Sequence, residues 1–224
     1  MLDIETLAMK WEKSHPQEIL REIAGMGLKW TLAMSFSRED TVILHGLNQI
    51  CPPVDAFWLD TNLLFPETYA FKEEITARYQ VNLRHIQPTL SLEDQAKRYG
   101  KDLWQEDPHR CCYLRKVEPL FAALDGYDGW VTGIRREQSP SRARAQIIEW
   151  DKQHELYKLN PLAFWLSDEL ENYAETHNIP VNPLHAQGYP SFGCYPCTRP
   201  VKPGESIRAG RWEGWDKSEC GIHQ

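Results

Sequence analysis

Five of the six cysteines stand where chemistry is a natural use for them. Cys111 and Cys112 are adjacent in HRCCYLRK, Cys194 and Cys197 form a Cys-x-x-Cys pair in SFGCYPCTRP, and Cys220 lies in the terminal ECGIHQ. Four thiols in two close pairs are a donor set for Zn²⁺ or for an iron–sulfur cluster. Adjacent cysteines on one helix point in different directions, which suits a single zinc ion poorly. A cubane offers separate irons to separate sulfurs and tolerates the arrangement better. Cys51, before Pro52 and Pro53, is expected to be a packing residue. Cys220 is of another kind: it sits in a polar tail beside Glu219 and Gly221, with His223 close by. Such a thiol is a candidate nucleophile, favoured by an imidazolium or by arginines at an anion site and opposed by Glu219.

The basic residues point to an anion. Arg135, Arg136, Arg142 and Arg144 crowd one segment, and Arg199, Lys202, Arg208 and Arg211 another, while the chain as a whole carries a net charge of −7. An acidic protein that concentrates arginine locally suits a compact anion such as phosphate or sulfate, not the coating of nucleic acid. Lys116, one helical turn beyond Cys112, is placed to neutralise a cluster or to reach that anion. In SFSRED, Ser35 and Ser37 open a helix and offer hydroxyls and backbone N–H groups. Ser37 with Asp40 is equally an ordinary helix cap. The loop has no glycine, so it is neither a P-loop nor a dinucleotide fingerprint. In LDTNLLFPET, Leu59 and Asp60 close a strand, with Asp60 placed to accept from ribose or adenine.

The pattern along the chain predicts the elements that must position these groups. Residues 4–24 read as an amphipathic helix interrupted near Pro16. Strands are expected at 28–35, 54–60, 81–87 and 128–134. Helices are expected over 37–50, from Pro66, from Ser91, over 109–124 and over 166–178. Strands alternating with helices of these lengths predict a mainly parallel α/β sheet with helices on both faces, whose ligands sit beyond the carboxyl ends of the strands. Periodicity stops after about residue 198. The expected organisation is one α/β domain over 1–205 and a mobile functional tail over 206–224. With 224 residues, 42% of them hydrophobic, the chain suits one soluble domain. No apolar run approaches about 20 residues, and the first residues carry acids and no apolar signal core, so a cytoplasmic protein is expected. In a reducing compartment, cysteines serve metals or catalysis more often than disulfides.

Taken together, SFSRED, LDTN-LFPET, CCYLRKVEPL, VTGIRREQSPSR, GCYPCTRPVKPGE, RAGRWEG and KSECGIH resemble the assimilatory sulfonucleotide reductases, the adenylyl-sulfate (APS) and phosphoadenylyl-sulfate (PAPS) reductase family. The resemblance runs from about residue 30 to the end. It implies a Rossmann-like adenine nucleotide alpha hydrolase-like (PP-loop) fold. It also implies a [4Fe–4S] cluster on Cys111, Cys112, Cys194 and Cys197, the mark of members that use APS. Cys220 carries over as nucleophile. Lys116, Arg142, Arg208, Arg211 and His223 carry over around the sulfate and phosphate, Ser35 and Ser37 as the phosphate loop, and Leu59 and Asp60 on the adenosine side. Arg135 and Arg136 belong to the same donor-rich loop, where Arg142 and Arg144 could exchange roles. The chain departs from the family pattern at Asn62, where glycine is expected. The implied activity is thioredoxin-dependent reduction of APS to sulfite and AMP through an S-sulfocysteine, in sulfate assimilation and cysteine biosynthesis, by a homo-oligomer that needs neither nucleic acid nor membrane.

Three rivals remain at this point. A PAPS or dual APS/PAPS reductase shares the whole constellation. A metal-bearing redox sensor would need neither Cys220 nor the arginine loop. A PP-loop ATPase that thiolates tRNA fits poorly with the glycine-free SFSRED and the acidic charge.

Overall fold

The computed structural model of the protein describes residues 2–223. The helices are α1 (Ile4–Trp11), α2 (Pro16–Ala24), α3 (Arg38–Asn48), α4 (Pro66–Arg78), α5 (Leu92–Tyr99), α6 (Leu103–Glu106), α7 (Pro108–Cys112), α8 (Glu118–Leu124) and α9 (Ser167–Thr176). The strands are β1 (Trp30–Met34), β2 (Val54–Leu59), β3 (Val81–Ile86), β4 (Gly129–Val131), β5 (Ile148–Asp151) and β6 (Leu156–Leu159), in the order β3-β2-β1-β4-β6-β5. All neighbours are parallel except β5, which runs antiparallel to β6.

Alternation along β2 shows why the sheet is covered on both sides. Ala56 and Trp58 join one apolar cluster with Ile43, Leu44, Phe71 and Ile75 of α3 and α4. Phe57 between them joins another, with Leu120, Ala123 and Leu124 of α8. Successive strand residues face opposite sides, so a strand buried on both reads as a continuous apolar run. The expected first helix is two: Pro16 opens α2, whose N-cap is His15. The hairpin β5–β6 has no counterpart among the expected strands. Each strand is short and carries charge. Glu149 and Lys158 lie directly opposite in the register, paired at 3.2 Å, and Lys158 sits over the Trp130 ring at 5.6 Å. A cross-strand ion pair replaces the apolar alternation by which a strand is recognised.

β1 lies between β2 and β4, so the chain leaves β1 to one side and returns on the other. Such a switch point opens a crevice beyond the carboxyl ends of the strands. Two further segments close over it. After Cys112 the helix widens into a π turn, Tyr113–Val117, before α8; π turns are rare and often mark functional sites. The tail, expected to be mobile, is docked in this structure. Arg199 N–H donates to Gly210 O at 2.9 Å and Trp212 N–H to Cys197 O at 3.0 Å. A Cβ on Gly210 would lie 2.1 Å from Arg199 O, so only glycine admits this approach. Trp212 and Cys220 are 4% and 9% exposed. Among the described residues no helix is long and apolar enough to cross a membrane.

Candidate active site

The crevice is a cavity of about 160 Å³. Ser35 and Ser37 line it from the end of β1, Phe57, Trp58 and Leu59 from β2, Gly133 and Arg142 from beyond β4, and Lys116 from the π turn. Arg208, Arg211, Trp212, Cys220 and His223 line it from the tail. The structure thus gathers most of the sequence-selected residues round one space, from segments far apart in the chain.

Cys220 Sγ is buried, and burial pushes a thiol up. Lys116, a backbone hydrogen bond from the Ile222 region and Arg211 outweigh that, even against Glu219, so the Cys220 pKa falls below its ordinary value and the thiolate is favoured. Lys116 answers in the opposite direction. Burial would lower it, but Cys194, Cys220 and Cys112 prevail and raise its pKa, so it stays charged. His223 is stacked on Trp130, with centroids 5.5 Å apart and planes 12° apart. Burial, together with the cations Arg142, Lys158, Arg208 and Lys116, holds its pKa well below the usual value. It is therefore a neutral imidazole, so of the two expected supports for the Cys220 thiolate, an imidazolium or arginines, it is Arg211 that acts, together with Lys116. Burial, Arg142 and Arg211 bring the Arg208 guanidinium down to about 10. Arg208 Nε, Arg211 Nε and His223 Nδ1 are buried with no hydrogen-bond partner. Buried polar atoms of this kind are costly unless a partner satisfies them, and for the two guanidinium N–H groups an anion in the cavity would do so.

The SFSRED loop is arranged differently from the free anion loop expected. Ser35 gives both its N–H and its hydroxyl to Asp40 Oδ2, each at 2.6 Å. Ser37 caps α3 by accepting from Asp40 N–H, and Arg38 N–H donates to His185 Nε2 at 3.3 Å. The helix N-terminus is thereby satisfied by the protein's own groups, and the cationic side chains opposite carry the attraction for an anion. Phe36, at φ 63 and wholly buried, sets the bend between the two serines. Gly133 is obligatory beside them: a Cβ there would lie 2.6 Å from Asp40 Oδ1.

Three expected site residues face elsewhere. Arg135 is 3% exposed and pairs with Glu39 at 3.0 Å and Glu137 at 2.8 Å, and it also donates to Trp165 O and Ser167 Oγ. Arg136 donates to Ala145 O and lies over the Phe164 ring at 4.0 Å. Neither lines the cavity; both brace the loop that carries Arg142. Asp60 accepts from Tyr69 Oη at 2.7 Å, His85 Nε2 at 2.8 Å and Asn62 N–H at 2.9 Å, so its oxygens are engaged within the fold while Leu59 beside it borders the cavity. Of Arg142 and Arg144, the former lines the cavity and the latter is exposed. Asn62 adopts φ 57, the left-handed region where glycine is preferred and asparagine tolerated.

Beside this cavity Cys111, Cys112, Cys194 and Cys197 line a second, smaller one with Arg115, Lys116 and Trp212. All four are free thiols. Burial, then the other thiols, push Cys111 and Cys197 up to about 12. Each thiolate is thus made costlier by the others, and a cationic centre among them would relieve that repulsion. The donor set therefore fits a metal cluster. Among the described residues no three Cys, His, Asp or Glu side chains converge as ligands of a single ion. Two residues that the sequence reading passed over matter here. Arg115 is 1% exposed and bonds Thr61 O, Gln95 Oε1, Leu90 O and Asn62 Oδ1. Trp212 packs between Cys112 and Cys220 and so joins the two cavities. An arginine inside the apolar period of CCYLRKVEPL is the signal that could have flagged the first.

The sheet and its switch-point crevice fit an adenine nucleotide alpha hydrolase-like (PP-loop) fold, as the structural relatives show. Candida glabrata FMN adenylyltransferase in complex with FMN and an ATP analogue shares that fold, with TM-score 0.60 at 14% identity over 91% of this chain and 77% of that one. Within the class, residues 29–200 match the phosphoadenosine phosphosulfate reductase domain. The chain is 46% identical to adenosine 5′-phosphosulfate reductase of Salinibacter ruber over 84% of this chain and 75% of that one. It is 42% identical to phosphoadenosine 5′-phosphosulfate reductase of Gloeobacter violaceus over 98% and 93%. The crystal structure of Candida auris phosphoadenylyl-sulfate reductase, a phosphate complex, superposes with TM-score 0.77 at 30% identity, covering 86% of this chain and 94% of that one. The chain belongs to the APS/PAPS reductase family, enzymes that act on the sulfur of a sulfonucleotide.

Proposed function

We propose that the protein reduces adenosine 5′-phosphosulfate to sulfite and AMP, with thioredoxin or a similar dithiol protein as reductant, in the cytoplasm. The observation that carries this reading is the seating of Cys220, favoured as thiolate, in one cavity with Lys116, Arg142, Arg208 and Arg211. The Cys220 thiolate attacks the sulfate sulfur, the sulfur–oxygen bond to phosphate breaks, and AMP leaves. Lys116 and Arg211 offset the charge that moves onto the phosphate. The product is an S-sulfocysteine. A dithiol then attacks Cys220 Sγ and sulfite leaves with the electron pair. The second thiol resolves the mixed disulfide, so two electrons and two protons come from the dithiol. Cys220 is shut in by the docked tail, so residues 206–224 close for the first half-reaction and open for the second.

Cys111, Cys112, Cys194 and Cys197 would hold a [4Fe–4S] cluster, which would supply a fixed local charge beside Lys116 rather than electrons for the reduction. The four thiols and the relatives named as APS reductases support APS as substrate. The Gloeobacter relative, matched along nearly the whole chain, supports a second reading in which PAPS is used as well.

Anaerobically purified protein is expected to contain about four irons and four acid-labile sulfides per chain. With a dithiol reductant it should release sulfite from APS, and Cys220→Ser should abolish that release while still binding AMP. Turnover by the serine variant would sink the nucleophile assignment, and a colourless protein that stays metal-free after reconstitution would sink the cluster.

A further inference from the structure

The anion site already holds a carboxylate of the protein's own. Glu219 Oε1 accepts from Arg142 Nε at 2.7 Å and from Ser141 Oγ at 3.1 Å. Glu219 Oε2 accepts from Arg142 Nη2 at 2.8 Å and from Arg208 Nη2 at 3.1 Å. The Arg142 contact is a two-pronged fork, the strongest geometry available to an arginine and a carboxylate. Glu219 is 8% exposed, next to Cys220 in the chain.

Other polar ties of the last segment are weaker. Glu213 pairs with Arg199, Lys217 meets His109, and Ser218 O accepts from Arg208, all at exposed positions. Exposed pairs contribute little. Among the described residues beyond Trp212, Glu219 is therefore the buried polar anchor. It also divides the cations. Arg142 is spent on Glu219 and on Gln138 Oε1. Lys116 and Arg211 have no carboxylate partner among the described residues, and Arg208 keeps its Nε unpaired.

We infer that Glu219 is the latch that seats the nucleophile: Arg142 and one edge of Arg208 hold the segment beyond Trp212 through it, leaving Lys116, Arg211 and Arg208 Nε for the substrate's anion. This rests on the reading of Cys220 as the attacking thiol. It gives Arg142 a task different from the one the family resemblance implies: it holds the tail, and the sulfonucleotide meets the other cations. Glu219 is thus a positioning residue. Its negative charge, which opposes the Cys220 thiolate, is tolerated because the fork on Arg142 fixes where the sulfur stands.

The test compares the full-length wild-type protein with Glu219→Gln, by hydrogen exchange over residues 213–223, AMP affinity, and sulfite release. Loss of one buried charge-assisted fork predicts tail exchange faster by about tenfold or more and kcat lower by about ten- to a hundredfold. AMP affinity should stay within about threefold, which also shows that the variant is folded. Unchanged tail exchange would overturn the latch. So would an AMP affinity altered about tenfold in either direction, since that would place the carboxylate in competition with, or in support of, the nucleotide. Hydrogen exchange reads the latch without turnover. If the wild-type protein makes no sulfite from either sulfonucleotide, the proposed function fails, while the exchange comparison still decides the latch.

Discussion

Replacing Arg115 with methionine is expected to destabilise the protein by about 4 kcal/mol. Arg115 is a buried cation with no carboxylate partner among the described residues. Its charge is spread over four acceptors: Thr61 O at 2.6 Å, Asn62 Oδ1 at 2.8 Å, Gln95 Oε1 at 3.0 Å and Leu90 O at 3.3 Å. Methionine replaces the stem and none of the donors. The Asn62 and Gln95 amides can turn to other partners, but the two backbone carbonyls cannot. Two buried acceptors left unmade cost about 1–3 kcal/mol each, which gives the total. Lysine is a poor substitute, because a single ammonium cannot span acceptors that a planar guanidinium reaches from three nitrogens. Urea unfolding of both proteins, prepared in the same way, measures the loss directly. For a chain of this size it corresponds to a fall in Tm of about 8–16 °C. A loss below about 1 kcal/mol for methionine, or full rescue by lysine, would refute the view that Arg115 ties the Asp60–Asn62 turn to the cysteine helix.

Two further substitutions test neighbouring parts of the site. Burial raises the Asp40 carboxyl to about 6 from its ordinary 3.8. The folded state therefore binds this proton more tightly than the unfolded chain, and the group's contribution to stability improves as pH falls through 6 towards 4. Asp40→Asn removes that dependence, so its stability relative to wild type should be more favourable at pH 7.5 than at pH 4.5 by about 2 kcal/mol. An unchanged difference between the two pH values would show that Asp40 is not desolvated as described. At Asn62, φ 57 makes alanine strained, while glycine fits the backbone and loses only the bond to Arg115. Asn62→Ala should be less stable than Asn62→Gly in thermal unfolding, by about 1 kcal/mol; the reverse order would contradict the left-handed turn.

Much of the architecture was legible because it is local. The strands at 54–60 and 81–87 and the helices from Pro66 and Ser91 follow from apolar runs, an early proline and a serine cap, and each is found close to its expected bounds. The hairpin β5–β6 was not legible, since its central contact pairs Glu149 with Lys158 across two strands, where sequence shows only two charges. The site divides in the same way. The residue types and their clustering pointed to an anion and to thiol chemistry. Which arginines face the cavity did not show, because Arg135 is drawn away by Glu39 in α3, while Arg142 stays at the cavity with its fork on Glu219 of the tail. These partners are remote in sequence, and periodicity reports only near neighbours. Glu219 was read from its adjacency to Cys220 as a hindrance. Its fork with Arg142 is visible only once the tail is folded back.

The docking of the tail also bears on how the thiol survives oxidants. Lys116, which lies outside the tail, favours the Cys220 thiolate while the tail is seated, and seating leaves the residue 9% exposed. In the opened state proposed above, the sulfur would meet solvent and leave Lys116 behind, and its pKa would return towards that of a free cysteine, about 8.5. Peroxide attacks thiolates far faster than thiols. In that cycle the sulfur would be shielded in the state where it is reactive and largely protonated in the state where it is reachable. Under the proposed cycle, one segment would make the thiol reactive towards what fills the cavity and unreactive towards oxidants in the surrounding solvent.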